Sequence, residues 1–372
     1  MSAPRDRVDP YEALLVLSFG GPERDEDVMP FLENVTRGRG VPTERLQEVA
    51  QHYHAFGGRS PINAQNRALV ANLEHQLAES ELSIPVYWGN RNWHPLLTDE
   101  LTRMRDDGIR RAAVFVTSAY DSYSGCRQYR EDLARSVAEV GAGAPRLDRL
   151  RLCFDHPGFI TANADGVVGA LGDLPSDLAG SARLVFVTHS IPTAMADTSG
   201  PAGGAYVAQH LAVADAVAAR VAERTGVDHA HDLVFCSRSG SPATPWLEPD
   251  VNDHLAALAE QGVPAVILAP IGFLSDHMEV AYDLDTEALA TAKELGIAAA
   301  RAATAGTHPD FVAGVVDLLT ERAAVERGEP VERASALPIG PSADVCPAGC
   351  CPNLREPLPA LCGEDAPPHP SS

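Results

Sequence analysis

At 372 residues with 45% hydrophobic content, the chain is long enough to bury a sizeable core, and its length points to two domains of ordinary size. Its formal net charge of −22 argues against an extended nucleic-acid surface and leaves any anionic ligand to local arginines. The start, MSAPRDRVDP, has no apolar signal core and no run of about 18 or more apolar residues follows, so neither secretion nor a membrane span is expected and a cytoplasmic location is.

Short apolar, β-branched runs read as buried parallel strands: ALLVLSF (13–19), PVYWGN (85–90), AAVFVTSAY (112–120), RLVFVTHS (183–190), DLVFCS (232–237) and AVILAPIGF (265–273). Amphipathic patterns near 44–55, 64–80, 96–107, 125–140, 203–225, 250–261, 278–295 and 309–326 predict helices between and after them. Strand alternating with helix gives an α/β fold of doubly wound parallel sheets, two units joined near 145–160, with ligand chemistry on loops at the carboxyl ends of the strands.

Several of those loops are aromatic and polar in the way a flat anionic ligand needs. NVTRGRGVP (34–42) carries Arg37 and Arg39, HYHAFGGRSP (52–61) carries His52, Tyr53, Arg59 and Ser60, and WGNRNWHP (88–95) and SAYDSYSGCRQY (118–129) follow two further strands. Arginine-glycine loops also suit phosphate, but neither G-x-G-x-x-G nor a P-loop is present, which weakens a nucleotide reading. Arginines clamp carboxylates and aromatic faces stack on planar rings, a combination that describes a porphyrin carrying propionates.

VFVTHSIP (185–192) places His189 at the close of a buried strand, where a lone histidine reads either as a hydrogen-bonded core residue or as a ligand. Ser190 and Pro192 favour a turn that faces the imidazole toward the crevice above the sheet. GFLSDHMEVAYDLDTE (272–287) follows another strand and opens a helix, with Asp276 suited to cap it. Glu279, Asp283 and Glu287 recur every four residues and stack on one face, either as a solvated acidic surface or as a lane for a hard divalent cation. His277 beside them can steady the helix start or bind metal. A neutral imidazole opposite a carboxylate can bind a transition metal and accept a proton near neutral pH, and two protein ligands leave positions open for a substrate that is itself a chelator.

After about 327 the sequence turns proline-rich, yet it holds four of the seven cysteines: Cys346, Cys350, Cys351 and Cys362. Such a stretch cannot supply its own core, so something is expected to pin it, and thiol or metal chemistry fits an odd cysteine count without a secretory signal better than a disulfide framework does. Cys153 and Cys236 sit in strand-like or apolar surroundings and read as small buried hydrophobes.

Taken together, LLVLSFGGP, NVTRGRG, HYHAFGGRSP, THSIP, SRSGSPATPWLEPD and GFLSDHMEVAYDLD resemble the ferrochelatase family along about residues 11–320. The resemblance implies two Rossmann-like domains, 10–150 and 151–326, facing across a cleft with the final helices packing back on the first, and a separate 327–372 tail. It implies Fe²⁺ as substrate, inserted into a porphyrin with His189 and Glu279 as the catalytic, iron-binding pair and Asp283 and Glu287 as a relay. It places Phe19, Arg37, His52, Tyr53, Ser60, Tyr129 and Trp246 along the substrate, and it suggests handover of product to a downstream enzyme of the haem pathway. Phe19 departs from the tyrosine that part of the bacterial family carries there and offers no ligand atom to product iron.

The LENVTRGRGVP wording is similar to the actinobacterial branch, which implies coproporphyrin III rather than protoporphyrin IX as substrate. That branch also implies a two-iron two-sulfur cluster on Cys126, Cys346, Cys350 and Cys351, with Cys362 in reserve because the adjacent pair strains the backbone; zinc on the same cysteines is the alternative. A cobalt or nickel chelatase acting on an early tetrapyrrole, and a haem or porphyrin carrier without catalysis, are the rival functions.

Overall fold

A computed structural model describes residues 7–38, 40–239 and 243–367. The first half runs β1 (Ala13–Ser18), α1 (Asp25–Val35), α2 (Thr43–Ala55), α3 (Ile62–Glu79), β2 (Val86–Asn90), α4 (Leu97–Asp106), β3 (Arg111–Val116), α5 (Gln128–Val140) and β4 (Arg146–Arg149). The second runs α6 (Pro157–Gly172), β5 (Arg183–His189), α7 (Thr193–Asp197), α8 (Ala205–Thr225), β6 (His231–Cys236), α9 (Val251–Glu260), β7 (Ala265–Ala269), α10 (Leu289–Glu294), β8 (Ala298–Arg301) and α11 (Pro309–Glu326). Both halves form four-stranded parallel sheets of the same order, β2-β1-β3-β4 and β6-β5-β7-β8. This is the α/β arrangement of two Rossmann-like sheets that the strand-helix alternation predicts.

Period-two alternation sorts each strand between two apolar layers. On β1, Leu14 and Val16 face an inner layer while Ala13, Leu15 and Leu17 face α4 and α5. On β5, Leu184 and Phe186 face the inner layer, and Val185 and Val187 face the layer of Leu255, Leu258 and Leu284 on the far side. The inner layer is continuous from one sheet to the other through Leu69, Phe159, Val217 and Phe311, which belong to α3, α6, α8 and α11. α11 packs on both α3 and α6, so the last helix ties the two halves together.

All six expected strands are present, but the apolar runs at 112–120 and 265–273 overshoot, because β3 ends at Val116 and β7 at Ala269. The remaining residues of those runs form loops. β4 (RLDR) and β8 (AAAR) lie outside the expected set: they are edge strands whose sequences lack the β-branched run. α6 is rich in Gly and Ala and buried on most sides, so it has little amphipathic contrast to detect, and α1 has Pro30 inside it.

The tail makes no helix or strand among its described residues, yet it is pinned. Arg130, fully buried, donates from Nε to the Leu361 carbonyl (2.6 Å) and from Nη2 to Asp365 (3.0 Å). Gly363 is required there, since a Cβ would lie 1.7 Å from Arg130 Nη2. Further up the tail, the Ala336 N–H donates to the Asp155 carbonyl (2.8 Å) and Ser342 Oγ to that of Leu152 (3.1 Å).

Phe311 is 2% exposed and meets Phe115 of β3 and Phe159 of α6, each with ring centroids 6.1 Å away. Phe311→Ala is therefore expected to destabilise the whole protein by about 3–5 kcal/mol through lost burial and a residual cavity. Chemical denaturation checks this, and a loss below about 1 kcal/mol would contradict the single inner layer.

Candidate functional site

β5 pairs with β6 as far as His189↔Cys236, but with β7 only as far as Phe186↔Ala269. Its last residues therefore project beyond β7, and the chain leaving β7 crosses directly over them. Gly272 permits that crossing, because a Cβ there would lie 2.1 Å from Thr188 Oγ1. The crossing brings Glu279 to His189, with Nε2 and Oε2 3.5 Å apart. His189 Nδ1 donates to the Ser190 carbonyl, which leaves Nε2 as the ring atom that gains or loses a proton facing Glu279.

His277 stands on the other side of the same carboxylate, its Nδ1 3.8 Å from Glu279 Oε2. The sequence reading gave the helix cap to Asp276, and the structure corrects it. His277 Nδ1 accepts the Glu279 N–H (3.2 Å), while Asp276 is held by Arg301 (3.1 Å), a stronger charged partner. From Val280 to Ala288 the helix is π-wound, and Thr286 Oγ1 donates back five residues to the Ala281 carbonyl (3.3 Å). Asp283 accepts from Ser237 Oγ, and Glu287 lies exposed one turn further out.

The His189 and Glu279 side chains keep 30% and 49% of their surface accessible. Burial works against an imidazolium at 189, yet the Glu279 carboxylate, the Ser190 carbonyl and Asp283 outweigh it and hold the pKa above the ordinary histidine value. Burial likewise opposes ionisation of Glu279, but His189 and His277 draw its carboxyl down to about 2. Asp283 behaves in the opposite sense: burial, with the charges of Glu279 and Glu287, pushes it up to about 7 against the Ser237 hydrogen bond. Carboxylates four residues apart thus differ widely in proton affinity.

The first half supplies an aromatic wall. Phe19, 37% exposed, meets Phe31 edge-on at 6.3 Å, and Phe31 in turn meets Tyr53 (5.9 Å) and Trp93 (6.1 Å). Tyr53 lies close enough to Glu279 to feel its charge, which with burial raises the phenol pKa. His52 stacks on Tyr282 at 3.8 Å, joining α2 to the π-wound segment. Arg91 lies over Phe19 and Tyr129 (5.8 and 4.4 Å) and pairs with buried Asp132, so Tyr129 sits behind Arg91. Ser60 is buried behind Gly21, and Arg37 is exposed at the end of α1; Arg39 lies outside the described residues. Trp246 bridges to Pro192, beside the turn after His189, and its buried Nε1 has no hydrogen-bond partner among the described residues.

Phe31, Arg91 and Trp93 were not singled out from sequence. Arg91 and Trp93 stand just past the β2 strand end, a position that could have flagged them; Phe31 lies on a helix the pattern did not predict. A cavity of about 510 Å³ opens elsewhere, lined by Gln65, Asp276, Arg301 and Thr304. Its charged groups already pair with one another or with Asp285, so it lacks a free reactive pair.

Cys126, Cys346, Cys350 and Cys351 form a buried group of their own, with Sγ atoms 3.8 Å apart for Cys126 and Cys346 and 3.7 Å for Cys350 and Cys351. The anticipated strain at the adjacent pair is present, as Cys351 takes a φ of 51°, and it lets both thiols face inward. Arg149, fully buried, donates to Cys126 Sγ (3.1 Å) and Cys346 Sγ (3.2 Å), and the Gly200 N–H donates to Cys351 Sγ (3.1 Å). Cys362 lies apart, its thiol 3.4 Å from the Leu147 carbonyl.

The ferrochelatase family profile matches residues 11–323. The coproporphyrin III ferrochelatase of Streptomyces griseus is 58% identical over 375 residues, covering 99% of this chain and 100% of that protein. That of Streptomyces coelicolor is 58% identical over 366 residues (96% and 97%), and that of Nocardia farcinica 53% over 352 residues (94% and 99%).

Because Glu279 is what lifts His189 against burial, Glu279→Gln is expected to lower the imidazole pKa below the ordinary histidine value. The neutral form then persists to lower pH. Nitrogen-15 NMR titration of His189 in both proteins checks this, and an unchanged or higher pKa in the variant would contradict the electrostatic account.

Proposed function

The chain belongs to the ferrochelatase family, and on that premise we propose that the His189 and Glu279 pair is the centre at which it inserts Fe²⁺ into coproporphyrin III to form coprohaem. The observation that carries the assignment is the His189 ring held through Nδ1, with Nε2 aimed at a carboxylate 3.5 Å away in an open cleft faced by aromatic side chains.

Metalation exchanges Fe²⁺ for two pyrrole protons. His189 accepts the two protons in turn at Nε2, Glu279 stabilises the imidazolium formed each time, and Asp283, poised near pH 7, passes each proton toward exposed Glu287 and solvent. The same acidic face suits delivery of ferrous iron to the pair. Phe19, Tyr53 and Trp246 provide apolar and aromatic faces against the macrocycle, with Arg37 and His52 beside it, while Ser60 and Tyr129 support that wall from behind Gly21 and Arg91; Phe19 itself offers product iron no ligand atom. Coproporphyrin bears propionates where protoporphyrin bears vinyl groups, so it needs no delivery from a membrane. That supports a cytoplasmic enzyme.

The second part of the proposal is a two-iron two-sulfur cluster on Cys126, Cys346, Cys350 and Cys351. Four thiols converge and a buried guanidinium beside them needs negative charge, which cluster thiolates provide. A cavity of about 320 Å³ reaches Asp121, Arg149, Cys346 and Cys350. When bound, the group supplies a covalent tie between the tail and the first half and a one-electron redox centre.

Anaerobic Fe²⁺ insertion tests the function. Coproporphyrin III is expected to be used at least tenfold better in kcat/KM than protoporphyrin IX, about 1.4 kcal/mol in transition-state binding. His189→Ala and Glu279→Gln are each expected to lose insertion while still binding porphyrin. Equal use of both porphyrins would restore protoporphyrin as substrate, and wild-type turnover in either variant would remove the site assignment.

Anaerobically purified protein is expected to be brown, with about two irons and two acid-labile sulfides per chain. Truncation after residue 340 should bleach it and lower its melting temperature, since metal-binding free energy becomes folding free energy. A colourless protein with stoichiometric zinc would overturn the cluster and leave the ferrochelatase standing.

A further inference from the structure

A compact buried polar knot lies next to His189. Thr188, Tyr206 and His210 are all buried there. His210 Nδ1 donates to the Tyr206 carbonyl (2.7 Å), so its Nε2 accepts from Thr188 Oγ1 (2.8 Å). Burial, which lowers the His210 pKa to about 3, agrees with a neutral ring. With the Thr188 proton committed, the single Tyr206 hydroxyl proton has two acceptors in reach, and it goes chiefly to the His189 carbonyl (2.8 Å), with Thr188 Oγ1 beside it (2.9 Å).

The His189 carbonyl needs that donor. Two residues earlier, the Val187 carbonyl accepts from the Gly272 N–H (3.1 Å), the last bond to the chain leaving β7. Side alternation along a parallel strand points the His189 carbonyl the same way, where the neighbouring chain has turned off. Tyr206 takes the place of the missing strand.

Tyr206 is itself anchored at the far end of the site. Its N–H donates to Ser199 Oγ (2.7 Å), and the next residue, Gly200, donates to Cys351 Sγ. One turn along α8, Gln209 grips Asp121 twice, donating from Nε2 to Oδ2 (2.7 Å) and accepting the Asp121 N–H (2.9 Å), and Asp121 Oδ1 lies 3.7 Å from Cys351 Sγ.

We propose that Tyr206 is a positioning residue for metalation, holding His189 through its backbone carbonyl, and that the first turns of α8 make its placement depend on the cysteine group around Cys351. The inference rests on His189 being the metalation centre. A fully satisfied polar knot is a poor source of stability compared with an apolar core of the same shape, but it fixes one arrangement, and a proton acceptor needs one. The coupling runs through a helix start, so it acts on orientation of His189 and not on porphyrin contacts.

The test is steady-state Fe²⁺ insertion by the complete protein, with the visible spectrum and melting temperature of each preparation recorded. Tyr206→Phe, which removes the hydroxyl and keeps the ring, is expected to lower kcat at least tenfold while the KM for coproporphyrin III and the cysteine-bound chromophore stay as in wild type. Ser199→Ala and Cys351→Ala are each expected to lower kcat several-fold in the presence of Tyr206 and by no further factor in its absence, because they act through it. Should Tyr206→Phe fail to accumulate, Thr188→Val, which removes the acceptor that orients the hydroxyl, gives the same kcat-against-KM readout. A wild-type protein that inserts no iron would defeat the metalation reading. An active wild type whose Tyr206→Phe variant keeps its kcat, or loses KM instead, would defeat the positioning role, and additive effects of Cys351→Ala and Tyr206→Phe would defeat the coupling.

Discussion

β5 outruns its neighbour β7, and the site depends on that mismatch. A strand that ended with its neighbour would keep every carbonyl in the ladder and leave no room for a crossing chain. Here the pairing with β7 stops at Phe186 while the pairing with β6 continues to His189. The projecting residues meet the 270–279 segment from above and the first turn of α8 from below, so two separate stretches of sequence close on one imidazole. Gly272 and Tyr206 fill the two sides, one by having no side chain and the other by donating where a strand would have.

Around that imidazole the charges are arranged by contact rather than by sum. The chain is strongly acidic, yet only one carboxylate in the cleft is held firmly ionised, the one flanked by two histidines. The next along the helix has its pKa pushed up to about 7, because burial and the charge of Glu279 both disfavour a second anion. Within the acidic repeat Glu279 and Asp283 are therefore shifted in opposite senses, and the bland alternative of a solvated face holds for Glu287 at its outer end.

The strands were legible because their residues face apolar layers on both sides, so β-branched runs mark them without help from the fold. β4 and β8 escaped because edge strands carry charge or small residues, and α6 because burial on nearly every side erases the contrast a helix pattern relies on. At the site, His189 and Glu279 could be paired from sequence because one closes an apolar strand run and the other follows the run at 265–273, although β7 itself ends ten residues before Glu279. The Asp276 cap failed because Arg301, far along the chain, competes for that carboxylate. The Thr188, Tyr206 and His210 knot had no sequence signal, as its logic is the direction of hydrogen bonds between strand and helix. Cysteine spacing in the tail left Cys362 eligible as a ligand, and only the packing of its thiol toward Leu147 separates it from the other four.

The two halves share one apolar layer, and at the cleft His52 of the first half stacks on Tyr282 of the second. A flat macrocycle entering there would meet aromatic side chains on one face and the imidazole-carboxylate pair on the other. A crystal structure of the protein with metal-free coproporphyrin III is the most direct test of that placement. The macrocycle centre is expected between His189 Nε2 and Glu279, with the ring against Phe19 and Tyr53. A porphyrin seated instead in the cavity beside Gln65 and Arg301, or with its nitrogens out of reach of both side chains, would contradict it.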